Sequence, residues 1–195
     1  MIYTSEALQS QWPGISNFAA HAKVEIDRGR LFRLRRGLYT DDPNEDPFLV
    51  ANAIYAPSYV SFSTALSLYG LIPERVVECQ SAVTSPGRAK RFENALGRFS
   101  YLPVPGAAFP YGTCRMGQAQ VATPEKALAD ALWLRRPVHS LKEFKGLLFE
   151  DLRIDEEGFA ALSREDLLFI LPRYRSTNAN WLIKLLEEEG NGKQD

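Results

Sequence analysis

NFAAHAKVEIDRGRLFRLRRGLYT, residues 17–40, carries two periodicities back to back. In its first half Phe18, Ala22 and Ile26 recur at i, i+4 and i+8, flanked by Ala19. That is the spacing of one buried helical face, so a helix is expected from a Ser16 cap to Arg28, ended by Gly29. Asn17, His21, Val24 and Arg28 then fall on an adjacent outward face. In the second half the run Leu31 to Tyr39 alternates as a β-hairpin would, turning near Arg35, Arg36 and Gly37. Upstream, Thr4 to Gln11 reads as a short helix capped by Thr4 or Ser5 and stopped by Trp12, Pro13 and Gly14.

Helix, turn, helix and basic hairpin is the order of a winged helix-turn-helix. There the second helix enters the major groove and the wing's cations neutralise phosphates. The residues expected to contact DNA are Asn17, His21, Lys23, Arg28, Arg30, Arg33, Arg35 and Arg36. Only Met1, Ile2 and Tyr3 precede Thr4, so the head is abbreviated: the first helix usual in such a motif is missing, and either the head borrows packing from the body or a partner, or it is a remnant that no longer binds DNA. The competing reading makes Arg33, Arg35 and Arg36 a solvated hairpin face, or pairs them with the acidic stretch DDPNEDP, residues 41–47. That stretch marks the boundary of a head over residues 1–45.

Residues 46–190 are expected to form an α+β body: a small mixed or antiparallel sheet with helices, and a helical C-terminus. Phe48 to Tyr55 reads as a helix, Tyr59 to Ser61 as a short extended segment, and Ser61 as the cap of a helix through Tyr69 closed by Gly70. Strands are expected over Val76 to Thr84, Arg91 to Glu93, Gly97 to Val104, Tyr111 to Met116 and Gln118 to Ala122. Thr123-Pro124-Glu125-Lys126 is a helix start with a Thr cap, Pro in the first turn and an acid at the positive dipole end. Helical stretches follow near 140–150, 155–171 and 176–189, with a frayed tail over residues 191–195.

Composition agrees with a folded chain. Of 195 residues 45% are hydrophobic, 24% charged and 11% aromatic, which argues against disorder and gives enough length for a core without metal or disulfide staples. The formal net charge of -1 excludes indiscriminate polyanion binding and leaves the local distribution to be read. Residues 23–36 hold Lys23, Arg28, Arg30, Arg33, Arg35 and Arg36 against only Glu25 and Asp27. Cys79 and Cys114 lack the spacing of zinc or redox motifs and are expected as buried thiols in a reducing compartment. No signal-peptide pattern and no apolar run long enough to span a bilayer occur, so no membrane partner is expected and a soluble, cytoplasmic protein is.

The catalytic motifs are missing. GxSxG, P-loop, HExxH and GxGxxG patterns do not occur, nor does a metal-spaced Cys/His cluster, so neither cofactor, metal nor catalytic residue is assigned and a non-enzymatic protein is expected. His139 stands in a loop without a matched nucleophile. Glu125, Lys126 and Asp130 are the most enzyme-like group, and an i, i+4 ion pair at a helix start accounts for them.

Several segments together resemble one family. GRLFRLRRGLYTDD, NAIYAPSYVSFSTALSLYGLIPE, SAVTS, GRFSYLPV and ATPEKALADALWL are similar to the antitoxin of AbiE-type abortive-infection (type IV toxin–antitoxin) modules, described as transcriptional regulators of viral defence. The likeness spans roughly residues 4–135 and is most specific in PSYVSFSTALSLYGLIPE and TPEKALADAL. It implies a winged-helix head that represses its own operon by binding operator DNA, and a body that counteracts a cognate nucleotidyltransferase-like toxin. Wing positions fall on Arg33, Arg35 and Arg36, and the recognition helix on Asn17 to Arg28. The alternative is an interaction module that neutralises the toxin by contact without binding DNA, with acidic segments Glu150 to Glu157 and Glu187 to Glu189 facing a basic partner.

Overall fold

The computed structural model describes residues 1–84 and 89–191 and is a mixed α+β protein with two sheets. Beyond Asn191 the expected frayed tail lies outside the described residues.

The head runs β1 (Ile2–Thr4), α1 (Ser5–Gln11), α2 (Phe18–Asp27), β2 (Phe32–Arg35), β3 (Leu38–Thr40). Its sheet has the order β1-β3-β2, antiparallel throughout. Thr4 caps α1, its Oγ1 accepting the Ala7 N–H at 3.2 Å. The cap of α2 is Asn17 rather than Ser16: Asn17 Oδ1 accepts the Ala20 N–H at 3.1 Å, which starts the helix one residue later. The hairpin turns at Arg36 and Gly37, where the glycine takes φ 79° and its carbonyl accepts the Ser5 N–H at 3.1 Å.

The three-stranded sheet has two packed faces. Tyr3 and Tyr39 meet Leu8 of α1, Ala22 of α2, and the half-buried Trp12, Phe18 and Ile26. Leu34 and Leu38, with half-buried Ile2, instead join the core of the body. Asn94 Nδ2 donates to the Leu34 carbonyl at 3.0 Å across the same seam.

The body is built on a six-stranded mixed sheet of order β6-β7-β5-β4-β9-β8. Its strands are β4 (Tyr59–Val60), β5 (Glu78–Val83), β6 (Lys90–Asn94), β7 (Gly97–Pro103), β8 (Thr113–Met116) and β9 (Ala119–Ala122). β5 runs parallel to β7 and β4 parallel to β9, while the other neighbours are antiparallel. Helix α3 (Pro47–Ile54) packs on β5 and β9, and α4 (Phe62–Leu68) on β5 and on α5 (Pro124–Trp133). Asp46 caps α3 and Thr123 caps α5. Ser61 precedes α4 as expected but makes no side-chain cap, because its hydroxyl is drawn to Asp130 at 2.7 Å.

The C-terminal region is α6 (Leu141–Gly146) continuing into a wider turn at Leu147–Asp151, then α7 (Glu156–Ala160), α8 (Arg164–Ile170), a tight turn at Leu171–Tyr174 and α9 (Thr177–Asn191). The single helix expected over 155–171 is broken. Ser163 leaves the helical region to cap α8 through the Asp166 N–H at 3.2 Å, and donates its own N–H to Glu125 Oε1 at 2.9 Å. A tertiary partner on α5 thus holds the break open. No helix among the described residues is long and apolar enough to cross a membrane.

Candidate functional site

The eight head residues expected to touch DNA divide by what they already hold. Asn17 is committed to its cap. His21 is half-buried with its ring edge-on to Trp12, centroids 4.5 Å apart. Arg30 forms a fork on Glu25, with Nε and Nη2 each 2.6 Å from a carboxylate oxygen, and Arg28 Nη1 lies 3.9 Å from the same group. The Arg30 hydrogen bond holds the Glu25 carboxyl below its ordinary range. Lys23, Arg33, Arg35 and Arg36 are exposed and have no carboxylate within 4.0 Å among the described residues.

Three of those free cations share one place. Lys23 of α2 and Arg33 and Arg36 of the hairpin line a groove of about 520 Å3 whose apolar floor includes Phe18, Ala22, Ile26 and Tyr39. The i, i+4, i+8 stripe therefore faces the hairpin as its spacing predicts, with its outer edge open.

The acidic stretch 41–47 does not neutralise the wing. Asp41 accepts the Tyr3 hydroxyl at 2.9 Å and lies 2.7 Å from the amino group of Met1. Asp42 Oδ1 accepts the Asn44 N–H at 2.8 Å, Glu45 accepts the Thr40 hydroxyl at 3.0 Å, and Asp46 caps α3 through the Phe48 N–H at 2.9 Å. Each carboxylate is spent on local turns and on the head's own strands.

The body's polar cluster centres on Asp130, which is fully buried with Lys126. Lys126 Nζ lies 3.0 Å from Asp130 Oδ1, and the Tyr174 hydroxyl also donates to Oδ1. On Oδ2 the Tyr59 hydroxyl donates at 3.0 Å and Ser61 Oγ at 2.7 Å. Four donors fill the roughly four lone-pair positions of a carboxylate, so none is left to accept a proton from a substrate. Lys126 also donates to Tyr174 and sits 4.8 Å from that ring's centroid and 5.4 Å from Tyr59's. Burial pushes the Lys126 ammonium below its ordinary range and the Tyr59 and Tyr174 hydroxyls far above theirs.

The i, i+4 pair expected at the start of α5 is present, but its depth and its partners Tyr59, Ser61 and Tyr174 do not follow from the spacing. One signal in the sequence does point to the depth: in KALADAL, residues 126–132, every residue but Lys126 and Asp130 is apolar, so the pair has no polar helix face to share. Residues 125–132 are indeed buried without exception. The two motif stretches of the body meet here, Tyr59 and Ser61 from one and Lys126 and Asp130 from the other. Among the described residues no His, Cys, Asp and Glu cluster is arranged to hold a metal ion. Cys79 is buried and Cys114 half-buried, both free.

Neither a known protein family nor a curated protein matches this chain.

Proposed function

We propose that the chain is a non-enzymatic antitoxin of a toxin–antitoxin phage-defence module, acting in the cytoplasm. On this reading its head binds operator DNA as an abbreviated winged helix-turn-helix and represses its own operon, and its body counteracts a nucleotidyltransferase-like toxin. The observation that carries the DNA half is the groove in which Lys23, Arg33 and Arg36, free of carboxylate partners among the described residues, flank an apolar floor between α2 and the hairpin. Such cations exchange condensed counterions for phosphates at little cost, whereas Arg28 and Arg30 must first release Glu25. The β1-β3-β2 sheet, with α1 and α2 between β1 and β2, supports the same reading. The saturated Asp130 supports the non-enzymatic half. The toxin half rests on the resemblance of the motif stretches.

Binding of the full chain to a labelled fragment of its own upstream region, measured across a salt series, tests the DNA half. Replacing Lys23, Arg33 and Arg36 by Ala is expected to lower the slope of log K against log salt by about one for each phosphate that is no longer neutralised. A chain that shifts no DNA at low salt removes that half. Co-expression with the adjacent reading frame tests the other: rescue from a nucleotidyltransferase-like product is expected, and unrelieved toxicity overturns it.

A further inference from the structure

A second cationic and aromatic feature lies in the body. Between the end of β7 and the turn before α9 opens a cleft of about 710 Å3, lined among others by Thr84, Pro103, Trp133, Arg173, Tyr174 and Arg175. Its volume is in the range of small-ligand sites, about 300–1,000 Å3.

Each wall is fixed. Trp133 donates its indole N–H to the Pro103 carbonyl at 3.1 Å, which sets the ring plane while leaving the side chain 36% exposed. The Tyr174 hydroxyl is committed to Asp130 and the residue is buried. The Arg173 guanidinium donates to the Phe169 carbonyl and lies over two rings, 3.8 Å from the centroid of Phe169 and 4.3 Å from that of Tyr111, so its remaining N–H groups are the ones an anion can reach. Arg175 takes a left-handed backbone, φ 49°, and is exposed. Among the described residues no carboxylate lines the cleft and neither arginine has one within 4.0 Å.

We propose that this cleft binds a nucleoside phosphate, free or at the end of a single strand, with the base against Trp133 and the phosphates on Arg173 and Arg175. The site is net positive, so the ligand is anionic. Its immobilised indole has already spent its one donor, so what it offers is a flat π-surface, which a base matches and an acidic peptide does not. The proposal concerns the body and stands whether or not the head binds DNA.

Calorimetry on the full chain distinguishes the sources, with ATP, GTP, adenosine, a 5′-phosphorylated single-stranded pentanucleotide and an oligoglutamate peptide as probes. Binding of ATP or GTP assigns a free nucleotide; binding of the pentanucleotide alone assigns a strand end; either supports the site. Adenosine is expected to bind at least about tenfold more weakly than ATP. Arg175→Gly suits the left-handed backbone, and Trp133→Leu keeps an apolar side chain. Each is expected to weaken binding by about tenfold or more, Arg175→Gly at an undiminished thermal midpoint and Trp133→Leu, which also gives up the bond to Pro103, when measured well below its own midpoint. Absence of binding by any phosphate probe at millimolar concentration overturns the proposal. So does binding that both variants retain, oligoglutamate binding as tight as ATP, or pentanucleotide binding lost on Arg33→Ala but not on Arg175→Gly.

Discussion

Asp130 and Lys126 sit one helical turn apart on α5 with their charged atoms 3.0 Å apart and neither touches solvent. The two are unequal members of the pair. Asp130 is reached by three hydroxyls as well as by the ammonium, whereas among the described residues Lys126 is hydrogen-bonded to Asp130 and the Tyr174 hydroxyl and otherwise faces the rings of Tyr59 and Tyr174.

That inequality predicts an order of damage. Lys126→Met leaves a carboxylate with three hydroxyl donors, and it can take up a proton. Asp130→Ala strands an ammonium and frees the hydroxyls of Tyr59 and Ser61 in the interior. Breaking a buried pair costs about 3–5 kcal/mol. Asp130→Ala is expected at or above the top of that range and Lys126→Met at the bottom or below, read from urea midpoints. Equal losses would show that the hydroxyls do not hold Asp130.

The same cluster marks the limit of what a single sequence displays. Phe18, Ala22 and Ile26 reveal the α2 face because a helix period survives in ten residues, and Thr123-Pro124 reveals the start of α5 because a cap is local chemistry. β1 has no such signature, since three residues, Ile2–Thr4, are too few for an alternation, and only its pairing with β3 makes them a strand. Ser61 reads as a cap on local grounds, yet Asp130, sixty-nine residues away, takes its hydroxyl. Arg28 is the i, i+3 neighbour of Glu25 on the helix, but the fork of Arg30 on the same carboxylate follows from no periodicity, because it depends on how the chain turns at Gly29. Partners that the fold brings from a distance, as it brings Tyr59, Ser61 and Tyr174 to Asp130, leave no trace in periodicity.

Leu34 ties head to body. It is 2% exposed, on the sheet face turned away from α1 and α2, within the body's core. Leu34→Ala is expected to cost about 2–5 kcal/mol. A peptide of residues 1–46 is expected to lack a cooperative thermal transition by circular dichroism, since Ile2, Leu34 and Leu38 would face water. A cooperative transition in that peptide would show that the head does not depend on the body.

Alkaline pH should weaken the fold. Burial raises the hydroxyls of Tyr59, Tyr69, Tyr101 and Tyr174 and pushes the Cys79 thiol up to about 12. The unfolded chain releases these protons around their ordinary values, from about pH 8.5 to about 10, while the native chain keeps them. The unfolded state then binds fewer protons, so stability falls as pH rises through that window. Lys126 opposes this, because its lowered value makes the unfolded chain hold the extra proton below about pH 10.4. Five groups against one leave a net loss. The urea midpoint is expected to drop between about pH 8 and about pH 11, and Cys79 to react with a disulfide reagent only as the chain unfolds. A flat midpoint would contradict the burial of those hydroxyls.

Gly112 is expected to tolerate no side chain. Its φ is 68°, its carbonyl accepts the Thr123 N–H at 2.8 Å at the cap of α5, and an added Cβ would stand 2.7 Å from Ile170 Cδ1 and 2.8 Å from Lys126 Cβ. Gly117 shares the left-handed backbone, φ 59°, with nothing within 4 Å of an added Cβ. Gly117→Ala therefore bears only the conformational cost, about 1–2 kcal/mol. Gly112→Ala adds overpacking, about 1–3 kcal/mol more, against the stem of Lys126. The contact that can be relieved is the Ile170 Cδ1 methyl, which valine lacks, so Gly112→Ala and Ile170→Val together should cost less than the sum of the two alone. Strict additivity in that double-mutant cycle would place the strain in the Gly112 backbone alone.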